Sequence, residues 1–408
     1  NGNLVLINDN SGVSRSVSGM NASGVGGIAG INEAGGTLTV TGNSNEIDAV
    51  GSGVSVIGLE RVGGIVGVNR GTIGHTGAST PENYLASKAK LVRASRGYAG
   101  GIVGETHGDI TCAVNRSVSV TADEGYAGGI TAVNNEGQAI RNCKNFGNVS
   151  SSKGYASGIA AYNAGTITDC VVKGAEIQSI GVNEMGAITA ENAGTILSSR
   201  PETGVVLKGE ALVFGGVTGS NSGTIGTAES SDKYELTEIP KIITSKGNLT
   251  VGGVAGQNYK GANIYNVKVT AEQADTFQRF TSYHYLGGIT GENGGNVTGA
   301  EFTGTIIEAT GTAGNCYGAI AGINEAYATL KDCMVKKLTM QIRGVYSAAS
   351  TSSAEEKEKS ATHAGGIVGK NEENAVIDGC TLENNADSKL TAKYGMLGGV
   401  AGFNKGKI

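Results

Sequence analysis

Three tyrosines, Tyr98, Tyr126 and Tyr155, recur at steps of 28 and 29 residues, and Tyr285 stands in the same setting further along. An aromatic row facing solvent could stack on sugar rings or grip a partner protein; facing inward or at a corner, the same row is packing. These three are the candidate ligand-binding residues. Carboxylates are the other candidates for chemistry. Glu105, Glu191 and Glu292 each precede a recurrent Asn or Thr, but they lie three repeats apart. At the spacing of neighbouring strands that is about 14 Å, too far to share a metal. Asp169 falls between Asn142 and Ser198 of the adjacent repeats. The histidines His75, His107, His284 and His363 are scattered, and none lies in an HExxH motif. We therefore read no catalytic residue, no metal ligand and no cofactor, and expect a chain that is not an enzyme.

Six cysteines are present, of which Cys143, Cys170, Cys333 and Cys380 each follow an Ile or Leu by three residues; Cys112 follows Ile110 by two. Small side chains at equivalent places in a repeat read as buried thiols filling a narrow core rather than as disulfide partners. Cys316 is out of phase with them and has no explanation at this level.

What must position these residues is a repeat. Twelve times the chain runs apolar residue, two small residues, Ile or Val, small residue, Gly or Ala, any residue, then Asn in eleven copies and Thr in one; Val62-Gly63-Gly64-Ile65-Val66-Gly67-Val68-Asn69 is one copy. Indexed by Ile28, Ile65, Ile102, Ile130, Ile159, Ile188, Val217, Val254, Ile289, Ile320, Ile367 and Val400, the shortest steps are 28 and 29 residues. A floor with only upward excursions is what loop insertion into a fixed coil produces. Several copies continue as Gly-Thr-Ile, for example Gly71-Thr72-Ile73 and Gly165-Thr166-Ile167, which is strand and turn chemistry. With 69 glycines in 408 residues, helical repeats would not survive. The expected fold is all-β: a single-stranded parallel β-helix (β-solenoid) of about 12 coils, one continuous solenoid over 1–408. Each coil is read as three strands of about five residues with three bends. Residues 349–362, which include Ser353 and Glu355-Glu356-Lys357, are expected to form a mobile inserted loop.

The Ile column is expected inside. Simple alternation then places the residue after it outside, on a flat and nearly featureless face of Ala, Thr and Val, with Thr189→Ala nearly neutral. Because the column three before the Ile is apolar too, the Gly pair between them is expected to be a bend or bulge that resets the alternation. The Asn column, with Thr106 as its exception, reads as an internal amide ladder or, alternatively, a polar binding row.

The stretch Gly63-Gly64-Ile65-Val66-Gly67-Val68-Asn69-Arg70-Gly71-Thr72-Ile73 resembles the GLUG repeat, and the likeness extends over nearly the whole chain. That resemblance implies an extracellular, bacterial cell-surface protein. Its relatives include adhesin-like proteins and accessory regions of immunoglobulin A metallopeptidases, whose zinc motif is absent here. The functional expectation is a non-catalytic stalk or adhesin-type display scaffold, with a host or neighbouring-cell protein or glycan as partner and flanking domains in the same chain. The alternatives are a carbohydrate-binding or carbohydrate-processing β-helix and a substrate-gripping accessory domain of a surface peptidase. A net charge of −5 without a basic run argues against nucleic acid. No apolar stretch reaches 18 residues, so no membrane insertion is expected.

Overall fold

The computed structural model describes residues 15–19, 22, 24–39, 46–74, 84–229, 233–271, 283–307, 314–343, 353, 361–383 and 388–408. The expected inserted loop at 349–362 lies outside the described residues apart from Ser353, Ala361 and Thr362. Two compact units form: Asn1–Ala211 with Pro240–Thr244, and Leu212–Ile239 with Ser245–Ile408.

In the first unit one coil is built from Leu91–Ala94, Gly97–Gly100, Val103–Thr106, Ile110–Thr111 and Ala113–Asn115. The next repeats it with Ser119–Ala122, Gly125–Gly128, Thr131–Asn134, Ala139–Arg141 and Lys144–Asn145. Equivalent strands pair in parallel, Val92 with Val120, Ala99 with Ala127, Val103 with Thr131, Ile110 with Ile140 and Val114 with Lys144. In the second unit, Leu249–Gly252, Ala255–Asn258, Asn263–Tyr265 and Val267–Ala271 make one coil. The following coil pairs with it in parallel on all four sides. This is a parallel β-helix, but each coil uses four or five short strands, not three of about five residues. Extra bends are held by residues in the left-handed region: Cys112, Asn142, Asp169 and Ser198 occupy successive coils with φ of 48–55°. Asn and Asp tolerate that conformation best. Cys112 therefore belongs to this bend column, one place before Cys143 and Cys170, which corrects its grouping with the other thiols.

The Ile column is inside, as expected: Ile65, Ile102, Ile130 and Ile159 are fully buried, as are Ile289, Ile320 and Ile367. A side chain of that size contributes about 1.5–3 kcal/mol when removed from water. The next column is buried as well, which overturns the flat outer face. Val66, Val103, Thr131, Ala160, Thr189 and Thr218 have no exposure. The cause is the hydrogen bonding. Ile65 N and Val66 N both donate to Ile102 O, at 2.9 and 3.0 Å, and Ile130 N and Thr131 N both donate to Ile159 O, at 3.0 Å. Two consecutive amides sharing one carbonyl form a bulge, so the residues either side of it no longer alternate. The expected reset is real; it lies after the Gly pair, between the Ile and its successor.

The Gly pair has its own task. A Cβ on Gly63 would overlap the Val66 carbonyl oxygen, and one on Gly104 would lie 2.7 Å from Val62 N. The strand before the bend therefore lies directly against the strand after it, closer than any side chain permits. Through this fold-back, the residue four before the Ile comes alongside the residue three after it in the next coil.

The Asn column is a buried ladder. Each amide nitrogen donates to the amide oxygen one coil on: Asn32 to Asn69 at 2.8 Å, Asn134 to Asn163 and Asn163 to Asn192 at 2.7 Å. In the second unit the chain of bonds Asn258, Asn293, Asn324, Asn371 and Asn404 holds 2.8 Å throughout. The same nitrogens also donate to a carbonyl two residues on, such as Gly165 O from Asn163 at 3.2 Å. The polar binding row is thereby excluded. A shorter second ladder, Asn115 to Asn145 at 2.7 Å, has no counterpart in the sequence reading. All six cysteines are free thiols, five buried and Cys380 half-buried.

Candidate functional site

Tyr98 and Tyr126 are register partners, with Arg61 one coil before Tyr98. The residues ahead of both tyrosines, Gly97 and Gly125, take φ of +79° and +115°, a conformation open to glycine at little cost. The ring centroids of Tyr98 and Tyr126 are 5.8 Å apart at 31°, those of Tyr126 and Tyr155 5.4 Å at 36°. All three are half-buried. The sequence-predicted row therefore exists and reaches solvent, but each ring leans on the next, so its faces are largely occupied by its neighbours.

Beside this row runs a second one, in register through Val68, Glu105, Val133, Tyr162 and Glu191. It is the row whose longer side chains reach the surface, and the fold-back brings it against the tyrosines. At one end Arg61 Nε donates to Glu105 Oε2 at 2.5 Å, and His107 Nε2 stands 3.1 Å from the other carboxylate oxygen. The Arg61 guanidinium is held more firmly protonated by Glu105. At the other end the Tyr155 hydroxyl donates to Glu184 Oε2 at 3.1 Å. Burial, reinforced by Glu191 and Glu184, pushes the Tyr155 hydroxyl's pKa up. Burial also raises the Glu184 carboxyl, Glu191 adds to the rise, and the bond from Tyr155 opposes it. The Tyr126 hydroxyl is raised by burial first and then by Glu191.

The strip thus joins Arg61, Tyr98, Tyr126, Tyr155 and Glu184 of one row to Glu105, Tyr162 and Glu191 of the other. Glu105 and Glu191 stay three coils apart, as expected. Arg61, Tyr162 and Glu184 escaped the sequence reading. Their signal was present, since they occupy the columns four before and three after the Ile, but nothing in the sequence says that these columns meet. Glu292, in the second unit, instead accepts from Gln257 Nε2 at 2.8 Å.

In the second unit the corresponding row runs Thr250, Tyr285, Cys316, His363 and Met396. Cys316 is thus the counterpart of the tyrosines, which accounts for its phase. Its Sγ lies 3.8 Å from His363 Nδ1, both residues are buried, and burial pushes the thiol pKa up to about 12. The tyrosines' place is here closed to solvent at Thr250, Cys316 and His363, leaving Tyr285 half-buried against His284.

Fold and strip together define a parallel β-helical repeat protein carrying an aromatic and acidic row along one side. The GLUG motif matches residues 247–273. That segment holds the four strands of one complete coil, so the motif corresponds to a structural unit of this fold. No curated protein and no solved structure matches the chain.

Proposed function

We propose that the chain is a non-catalytic repeat module of a bacterial cell-surface protein, a display scaffold that presents the Tyr98–Tyr126–Tyr155 strip to a partner outside the cell. The GLUG coil supports the surface setting. One observation carries the binding role: half-exposed tyrosines and carboxylates from successive coils converge on two adjoining rows, the first of which is a continuous parallel ladder from Arg61–Gly63 to Ala156–Ser157. Rigid placement of this kind lowers the ordering cost of binding.

A carbohydrate ligand is the second reading, favoured by that same meeting of aromatic and acidic residues. Ring spacing weighs against it. Stacking on a sugar needs a free aromatic face, and neighbouring rings at 5.4–5.8 Å cover most of theirs. A protein partner, which can use ring edges, hydroxyls and charges, suits the strip better.

The test is a binding screen of the full chain against immobilised glycans and surface proteins, repeated with Tyr126→Ala/Tyr155→Ala. Loss of the partner in the variant is expected. Turnover of a polysaccharide by the unmodified chain, or binding indifferent to the tyrosines, refutes the reading.

A further inference from the structure

We infer that the Tyr155–Glu184–Glu191 end of the strip takes up an arginine side chain of a partner polypeptide, an inference that rests on the binding role proposed for the strip. The protein supplies its own precedent. In one coil Arg61 lies beside Tyr98 and reaches Glu105 in the row alongside. Three coils on, Tyr155 stands where Arg61 stood, Glu184 where Tyr98 stood and Glu191 where Glu105 stood. The row of Glu105 and Glu191 is common to both places, while the ladder of the first row ends between Tyr155 and Glu184, the cation is missing and Glu184 stands in place of a tyrosine.

Among the described residues, no Lys, Arg or His nitrogen pairs with Glu184 or Glu191, although most other carboxylates on this unit have such a partner: Glu46 with Arg116, Glu176 with Lys208, Glu202 with Lys173 and Asp123 with Arg93. Two half-buried carboxylates against a tyrosine hydroxyl form a local excess of negative charge. Burial and, to a lesser degree, Glu191 disfavour the charged form of Glu184, and a bound cation would offset both. A guanidinium suits this place better than an ammonium: its planar fork can bridge two carboxylates, as Arg61 does internally between Glu60 and Glu105.

The experiment titrates the full chain with a fluorescent peptide of alternating Gly and Arg, a matched Gly–Lys peptide and a Gly–Glu control, at fixed ionic strength. Glu184→Gln/Glu191→Gln is expected to weaken the arginine peptide about tenfold or more, as loss of a charge-assisted contact implies. Glu136→Gln/Glu373→Gln removes the same charge from two exposed sites and is expected to leave affinity within about twofold, the difference screening allows for distant charges. Thermal melts of both variants check that the fold is retained. Equal weakening by both pairs, or no weakening by the strip pair, overturns the inference. So does full competition by calcium alone, which would make this end a cation site. Failure of the arginine peptide while a partner from the glycan and protein screen still depends on Tyr126 and Tyr155 sinks this inference and leaves the binding role standing. A chain that binds nothing in that screen removes the role itself.

Discussion

Thr106 shows how much a single side chain decides in a stacked fold. Asn69 Nδ2 donates to Thr106 Oγ1 at 3.1 Å, and that hydroxyl donates to Gly108 O at 2.5 Å. Having one proton, it has none left for the next coil. Asn134 Oδ1 is accordingly buried with no hydrogen-bond donor among the described residues. Every other ladder position is Asn, which accepts from one side and donates to the other, so Thr106→Asn should join the two halves of the ladder in the first unit. One buried bond and one orphaned acceptor satisfied imply a gain of about 1 kcal/mol. A higher midpoint in chemical denaturation is the expected result; an unchanged or lower one would mean the Asn side chain is not accommodated there. This much was legible beforehand, because the interruption at Thr106 stands out in the Asn column. The direction of the bonds, and hence which neighbour is left short, required coordinates.

At the scale of the strand, glycine and the bulge do work that periodicity hides. The Ile column was assigned correctly, since twelve apolar residues with no polar exception admit one reading. Its successor was misassigned: alternation is a property of unbroken ladders, and two amides converging on one carbonyl break it. Val, Thr and Ala at that position satisfy either assignment, so composition gave no warning. The glycines themselves are separable by experiment. Gly63→Ala would drive a methyl into the Val66 carbonyl and should cost about 3 kcal/mol or more. Gly137, at φ +78° with nothing within 4 Å of an added Cβ, should cost about 1 kcal/mol on the same change, from backbone strain alone. Denaturation midpoints that rank the two the other way would show that the strand before the bend does not press on the strand after it. Burial of Thr189 likewise replaces the expectation that its truncation is neutral.

At the scale of the whole molecule, stability within each unit comes from coil on coil, and burial between coils sets how much a lesion matters. Ile159 has a coil on each side and no exposure, whereas Val118, just ahead of the strand Ser119–Ala122, is 65 % exposed. Ile159→Ala should cost about 2–5 kcal/mol and loosen the neighbouring coils together, seen as faster amide exchange in their strands. Val118→Ala should cost about 0.5 kcal/mol or less. Comparable losses at the two sites would contradict the coil-by-coil account. Sequence alone determined the parallel stacking and the inward Ile column and offered the Asn ladder as one of two readings, because each is a repeated column and repetition fixes what is adjacent along the axis. Tertiary structure decided what lies side by side around the coil: the meeting of the Tyr98–Tyr126–Tyr155 row with Glu105, Tyr162 and Glu191, the place of Glu184, and the kinship of Cys316 with the tyrosines. Adjacency of that second kind depends on bend angles set by bulges, left-handed residues and backbone contacts at Gly63 and Gly104, and bend angles leave no period in a sequence.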